Sequence, residues 1–436
     1  MTAKYPVWVY ALLLVVGACA PQDLRPAGSA SGAPSSVAAP PSAAPGLTAP
    51  VPGSISVARR WWLLPDGFDQ TPLTVSATFE GDPARGEPFV LLDGRETRLR
   101  RTGAIWTAAV PLAGVAPGEH TIGVFERLPG TLYRVATTTV VISHPQYVVW
   151  TLDFEGDASG DAELANAAAI ADALKVPTVV FWNPRAWTTA AVSPERQDAM
   201  LAWTKGRLAK GDEVGLHLHL WTDYVRAAGL TPRLLPSWAG RSDGYDVPLT
   251  AYPEADQLAL MSYGTRLMVE HGLPRPTSFR AGGDIGDATT LRAAAAAGFT
   301  VDCTAVPRSA PPIGRIPFPW TLGADAQPYF PSRTDANAAG DLPLLESPTI
   351  GPNTYAATVG SIQPYIRAAQ ALFAPPGQVA TERRTIDLVS HPGTIVPTER
   401  AAIEAYLHSF DGQRYDADRG PVRFVTLQDL ANGYAR

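Results

Sequence analysis

The chain has 436 residues, 46% of them hydrophobic, and a formal net charge of −6. That length supports two or three domains and a sizeable core. The mild acidity and the lack of any Lys/Arg run argue against nucleic acid and anionic lipid head groups as main partners.

The N-terminus reads as a targeting segment. Lys4 precedes an apolar run, Val7 to Val16, that is too short to span a bilayer comfortably. Val16-Gly17-Ala18-Cys19 places small residues ahead of a cysteine. This resembles a bacterial lipobox, which implies a signal over residues 1–18 and a lipid on Cys19. Residues 19–53 are rich in Pro, Ala, Ser and Gly and lack a burial pattern, so they read as a disordered tether. A coil of roughly 30 residues reaches about 30 Å. The chain has two cysteines; with Cys19 lipidated, Cys303 has no disulfide partner and reads as a small buried hydrophobe.

Residues 54–145 carry an all-β signal. LTVSATF (Leu73 to Phe79) alternates, and PFVLLDG (Pro88 to Gly94) ends on a hairpin dipeptide. Further short apolar runs follow with Gly and Pro between them, the spacing of a β-sandwich. VAPGEHTIGVFE (Val115 to Glu126) resembles the late hairpin of bacterial immunoglobulin-like domains. Arg59, Arg60, Trp61 and Trp62 offer a sugar-stacking patch, with core or interdomain packing as the better reading.

From residue 146 to 436 the pattern alternates between strands and helices. YVVWTLD, PTVVFW, EVGLHLHL, TSFRA, FTVDCT, LPLLESP, IDLVSH and VRFVTL are the strand-like runs, with helix-like stretches between most of them. This repetition predicts a parallel sheet with helices outside, closed into a deformed (β/α)7-8 barrel behind an N-terminal β-sandwich, in the α/β class. No Gly-rich dinucleotide fingerprint follows the first strand.

Four strand ends carry polar residues of catalytic type. His217 and His219 sit at i and i+2, so in a strand they share a face and suit a divalent metal. TLDFEGD supplies Asp153, Glu155 and Asp157, with Asp153 and Glu155 again at i and i+2. FRAGGD supplies Arg280, and LVSH ends on His391. Residues converging at one end of parallel strands are expected to form one site.

In these motifs and in their order, the C-terminal two thirds of the chain resembles the polysaccharide deacetylase family, the NodB-homology esterases of carbohydrate esterase family 4. The resemblance implies a deformed barrel and a metal-dependent hydrolase, most often with zinc, that removes N-acetyl groups from an amino-sugar polymer. Residue by residue, it implies Asp153 as catalytic base, Glu155 as metal ligand with Asp157 as the competing carboxylate, His217 and His219 as the imidazole ligands, Arg280 as the clamp on Asp153, and His391 as general acid. The family spaces its two metal histidines four apart; here Trp221 occupies that place, so His219 stands in, as in a divergent HxH branch. Trp221, Tyr224 and Trp320 are candidate sugar platforms for which packing is the bland alternative. The implied partners are an acetylated amino-sugar polymer and, through the lipid, a membrane. The implied address is the cell envelope, on the outer membrane or cell surface. Two alternatives stay open: a non-catalytic carbohydrate or cell-wall module on a decayed esterase fold, and a related metal-dependent amidohydrolase.

Overall fold

The computed structural model describes residues 53–80, 87–128, 130–311 and 314–435. The expected signal, the Cys19 lipid site and most of the tether lie outside the described residues.

The first part is two packed β-sheets. Its strands are β1 (Gly53–Val57), β2 (Trp61–Leu63), β3 (Leu73–Phe79), β4 (Glu87–Leu92), β5 (Arg95–Arg98), β6 (Arg100–Thr102), β7 (Ile105–Val110), β8 (Gly118–Leu128) and β9 (Thr131–Ser143). One sheet runs β1-β3-β7-β6 and the other β2-β9-β8-β4-β5. Alternation sets the inner faces: Leu73, Val75 and Ala77 of β3 meet Val90, Leu92, Ile122, Val124, Val140 and Ile142 from the other sheet. Asp93 and Gly94 both take positive φ, 47° and 77°, as a tight hairpin turn between twisted strands requires. Trp61 and Trp62 are buried, and the Arg60 and Trp61 amides donate to Asp418 at 2.8 Å each. Arg59 lies 3.9 Å over the Tyr415 ring, so this stretch packs against the second part and presents no stacking surface. The Tyr147 hydroxyl donates to Asp66, and Arg423 pairs with Asp69.

Only two residues separate β9 from β10 (Gln146–Asp153), the first strand of the α/β part. There follow α1 (Asp161–Leu174), β11 (Val179–Trp182), α2 (Pro194–Leu208), β12 (Glu213–Leu218), α3 (Thr222–Ala227), α4 (Glu254–Glu270), β13 (Ser278–Ala281), α5 (Ala288–Ala297), β14 (Val301–Asp302), β15 (Leu345–Glu346), α6 (Gln363–Leu372), β16 (Arg384–Ser390), α7 (Pro397–His408), β17 (Val422–Phe424) and α8 (Leu427–Gly433). The strands pair in parallel in the order β15-β14-β13-β12-β11-β10-β16, with β17 also on β10. All eight residues of β10 are buried, as expected of a parallel strand covered on both faces. Ser193 and Asp287 cap α2 and α5, and Thr426 with Asp429 forms a capping box on α8.

Residues 345–354 join the two edges of the curled sheet. Leu345 and Glu346 pair with β14, and the Thr349 amide donates to Ala305 at 2.8 Å. A few residues later the Gly351 and Thr354 amides donate to Asp387 and Val389 of β16, at 2.8 and 2.9 Å. One extended segment therefore spans the gap that a regular eighth strand would fill, and the barrel is deformed there. Residues 307–340 contain no helix or strand among the described residues, in keeping with their Pro/Gly content.

Candidate metal centre

The site lies at the C-terminal ends of the parallel strands. β10 ends on Asp153; Phe154 then turns into the core, and Glu155 lines the cavity. Gly156 follows at φ +80°, where a Cβ would press on Asn183 and Arg185 at about 3 Å. β12 carries His217 and stops at Leu218, so His219 lies one residue past the strand rather than within it. The chain remains extended enough for the two rings to share a face, with centroids 4.8 Å apart. His391 likewise follows the last residue of β16.

Glu155, His217 and His219 bring one donor atom each within 4.8 Å of one another. Glu155 Oε2 lies 2.8 Å from His219 Nε2, and Oε1 lies 3.8 Å from His217 Nε2. His217 Nδ1 is 3.0 Å from the Arg280 carbonyl, which only accepts, so Nδ1 carries the proton and Nε2 offers its lone pair. That Nε2 is buried without a hydrogen-bond partner, as is Glu155 Oε1. His219 Nδ1 is held at 2.7 Å by Asp246. Orphaned donor atoms converge on one point while the far side of each ring is anchored, the arrangement in which a protein holds a divalent ion. The residues therefore fit a metal, and two imidazoles with one carboxylate suit zinc. Asp157 is committed elsewhere, to Arg185 at 2.6 Å.

Burial lowers the affinity of His217 for a second proton and keeps the ring neutral, as a ligand must be. Burial acts on His219 in the same direction, but Asp246 and Glu155 overcome it and lift this imidazole well above the usual range. Burial pushes Glu155 up, and the three imidazoles of His219, His391 and His217 more than reverse it, leaving the carboxyl well below the usual range.

Arg280 and Asp153 form a buried pair beside these ligands. Arg280 Nη1 donates to both Asp153 oxygens, at 2.9 and 3.0 Å, and to Thr151 Oγ1 at 2.7 Å. Nη2 donates to Thr349 and Nε to the Cys303 carbonyl. Every nitrogen of the guanidinium is used, so Asp153 is fixed in orientation, 4.0 Å from His217 Nε2. Cys303 is buried, and burial pushes its thiol far up, which makes it a packing residue. His391 Nε2 is 3.4 Å from Glu155 Oε1, and its ring meets Tyr355 edge-on with centroids 6.0 Å apart.

The six expected residues of the barrel site thus meet in one place. Asp153, Glu155, His217, His219 and His391 line a cavity of about 350 Å³, with Arg280 behind Asp153. Tyr224 and Trp320 are core residues, whereas Trp221 lines the cavity beneath the Arg185 guanidinium, 3.7 Å away. Asp246, Trp238, Tyr245, Asp284 and Tyr355 also line it and were not singled out from the sequence. Asp246, Trp238 and Tyr245 belong to the irregular stretch between α3 and α4, where no periodicity marks them. Asp284 ends the FRAGGD run, which was its only signal.

No family model matches the chain, and no curated protein matches it. Solved structures similar to it include one described as a candidate polysaccharide deacetylase from Mycobacterium smegmatis, at 15% identity and a TM-score of 0.41 over 66% of this chain and 89% of that one. A family 4 carbohydrate esterase from Streptomyces lividans, in complex with acetate, is 11% identical with a TM-score of 0.33, over 62% and 90% of the two chains. A family 4 acetyl xylan esterase from Clostridium thermocellum, in complex with a cobalt ion, is 12% identical with a TM-score of 0.33, over 65% and 89%. Likeness at this level assigns no activity to the chain.

Proposed function

We propose that the protein is a metal-dependent hydrolase that removes N-acetyl groups from an amino-sugar polymer. The observation that carries this reading is one cavity holding the Glu155-His217-His219 cluster, the Arg280-clamped Asp153 and His391. Glu155, His217 and His219 would hold a divalent ion, zinc by donor type, which supplies carbonyl polarisation and a more acidic water. Asp153 accepts the proton of the attacking water. Arg280 keeps Asp153 aimed throughout. As the water oxygen bonds to the acyl carbon and the C–N bond breaks, His391 gives a proton to the departing nitrogen. The products are acetate and a free amine.

Cys19 carries a lipid, and residues 19–53 tether the folded part to an envelope membrane. A surface-tethered barrel suits a polymer better than a diffusing metabolite. Acetate release from a panel of acetylated glycans, with metal content measured on the same preparation, tests the activity. A fully metal-loaded preparation that releases no acetate from any of them sinks the hydrolase reading and favours a binding module.

A further inference from the structure

Beside His391 the metal-centre cavity shares a wall with a second groove of about 470 Å³. Asp284, Asn353, Tyr355 and Val389 line both. Phe318 and Tyr365 contribute further rings to the groove, and Tyr355 is 65% exposed. Aromatic rings with a few hydrogen-bonding groups between them form a surface on which a sugar ring can stack. No Lys or Arg lines either space among the described residues.

Besides the imidazoles at the metal centre, the charged groups there are carboxylates, and all but one are engaged. Asp153 is held by Arg280, Glu155 and Asp246 by His219, and Asp157 by Arg185. Asp284 makes no side-chain hydrogen bond or ion pair among the described residues. It sits at the shared wall in a left-handed conformation, φ 57°, directly after Gly283 at φ 66°. Such a backbone costs energy in a residue with a Cβ and concentrates at functional sites. Trp320 Nε1 pins it by donating to the Asp284 carbonyl at 2.8 Å. Burial pushes the carboxyl up to about 6, the signature of a charge set down without its partner.

We propose that the groove takes the neighbouring sugar of the same chain as its free amine, with Asp284 as the counter-ion. This rests on the deacetylase reading, since it takes the metal-centre cavity as the place where the acyl group is removed. The chemistry links the two spaces: each turnover converts a neutral acetamide into an amine that takes up a proton near neutral pH. The product of one cut therefore becomes the ligand for the next. The preferred substrate is a partly deacetylated, cationic amino-sugar chain, and anionic glycans are disfavoured because nothing lining the groove neutralises them.

Two sets of defined N-acetylglucosamine tetramers test this on the metal-loaded protein: fully acetylated chains, and chains with one free amine next to an acetylated unit, on either side. One positional isomer should exceed the fully acetylated chain in kcat/KM by about three- to tenfold, the range of a single partly shielded ion pair. Asp284→Asn should bring that ratio to about one. A wild-type protein that shows no preference, or prefers the fully acetylated chain, overturns the proposal without reference to any variant. An Asp284→Asn protein that keeps the ratio overturns it as well. Calorimetric binding of glucosamine and N-acetylglucosamine oligomers separates the two readings. Amine-selective binding that depends on Asp284, without acetate release, leaves the groove assignment standing and removes the deacetylase reading. Binding indifferent to the amine removes the groove assignment.

Discussion

Asp246 Oδ2 meets His219 Nδ1 at 2.7 Å, across 27 residues of sequence and an irregular loop. The contact fixes which nitrogen of the ring faces the metal position and makes that nitrogen more basic. Asp246 is held at φ 53°, its carbonyl accepts from the Trp238 amide, and the Val247 amide beside it donates to the Leu220 carbonyl. The loop is therefore fastened on both sides of the strand end that carries His219. Asp246→Ala is expected to weaken metal affinity about 10- to 100-fold, the usual effect of removing such a partner. Competition with a chromophoric chelator measures it, and unchanged affinity would show that His219 is oriented without Asp246.

The ligand set makes a separate prediction. His217→Ala and His219→Ala should each lose stoichiometric metal after dialysis, because two remaining protein ligands hold an ion too weakly. Glu155→Ala should behave like them and Asp157→Ala should not, since Asp157 is occupied by Arg185. Elemental analysis of the four proteins decides. Metal retained in Glu155→Ala but lost in Asp157→Ala would reverse the choice of carboxylate.

Acid–base chemistry separates from metal binding in the next pair. Asp153→Asn and His391→Ala should reduce acetate release by at least about 10²- to 10⁴-fold, and His391→Ala should keep its metal and its melting temperature. Arg280→Ala should slow the reaction and also destabilise the fold by about 3–5 kcal/mol, because Asp153 would be left buried and unpaired. A His391→Ala protein that turns over at the parental rate would assign the leaving-group proton to another residue.

The barrel was legible because periodicity changes at Tyr147, and because each strand that feeds the site carries a polar site residue within one position of its C-terminal end, after a buried run. His217 and His219 could be placed on one face from their spacing alone, although the strand stops between them. Arg280 and Asp153 are 127 residues apart, and nothing local in either motif announces the contact; only the resemblance suggested it. Asp246 and the closing segment 345–354 were illegible for a different reason. Their geometry is set by long-range hydrogen bonds from irregular backbone, which leave no period in the sequence.

Lipidation is tested on the full chain in its cellular setting. Cys19→Ser is expected to leave the protein unprocessed or to release it from the membrane fraction. Fractionation and the mass of the mature N-terminus report the result. Normal membrane retention with an unaltered N-terminus would place the anchor elsewhere.

Asp387 carries a prediction about pH. It lies on β16 two residues before Val389 of the cavity wall, fully buried, with Oδ2 accepting from Ser347 Oγ at 2.7 Å and Oδ1 without a partner. Burial pushes its carboxyl up to about 7, against smaller opposing pulls from the Ser347 hydrogen bond and the Arg280 charge. Arg280 does not neutralise it, being committed to Asp153, and burial drives Asp302 and Glu346 upward as well. In the unfolded chain an Asp titrates near 4. A folded value above the unfolded one means that Asp387 contributes fully below about pH 4, and that its contribution is lost as pH rises toward 7. Asp387→Asn stays neutral throughout. It should melt close to the parent at pH 4 and above it at pH 8, with the gap opening between those values and worth on the order of 2–4 kcal/mol. Melting curves of both proteins, in the same metal state and at fixed ionic strength, give the gap directly. A gap that does not change with pH would mean that Asp387 is already ionised in the folded barrel, with a counter-charge other than Arg280.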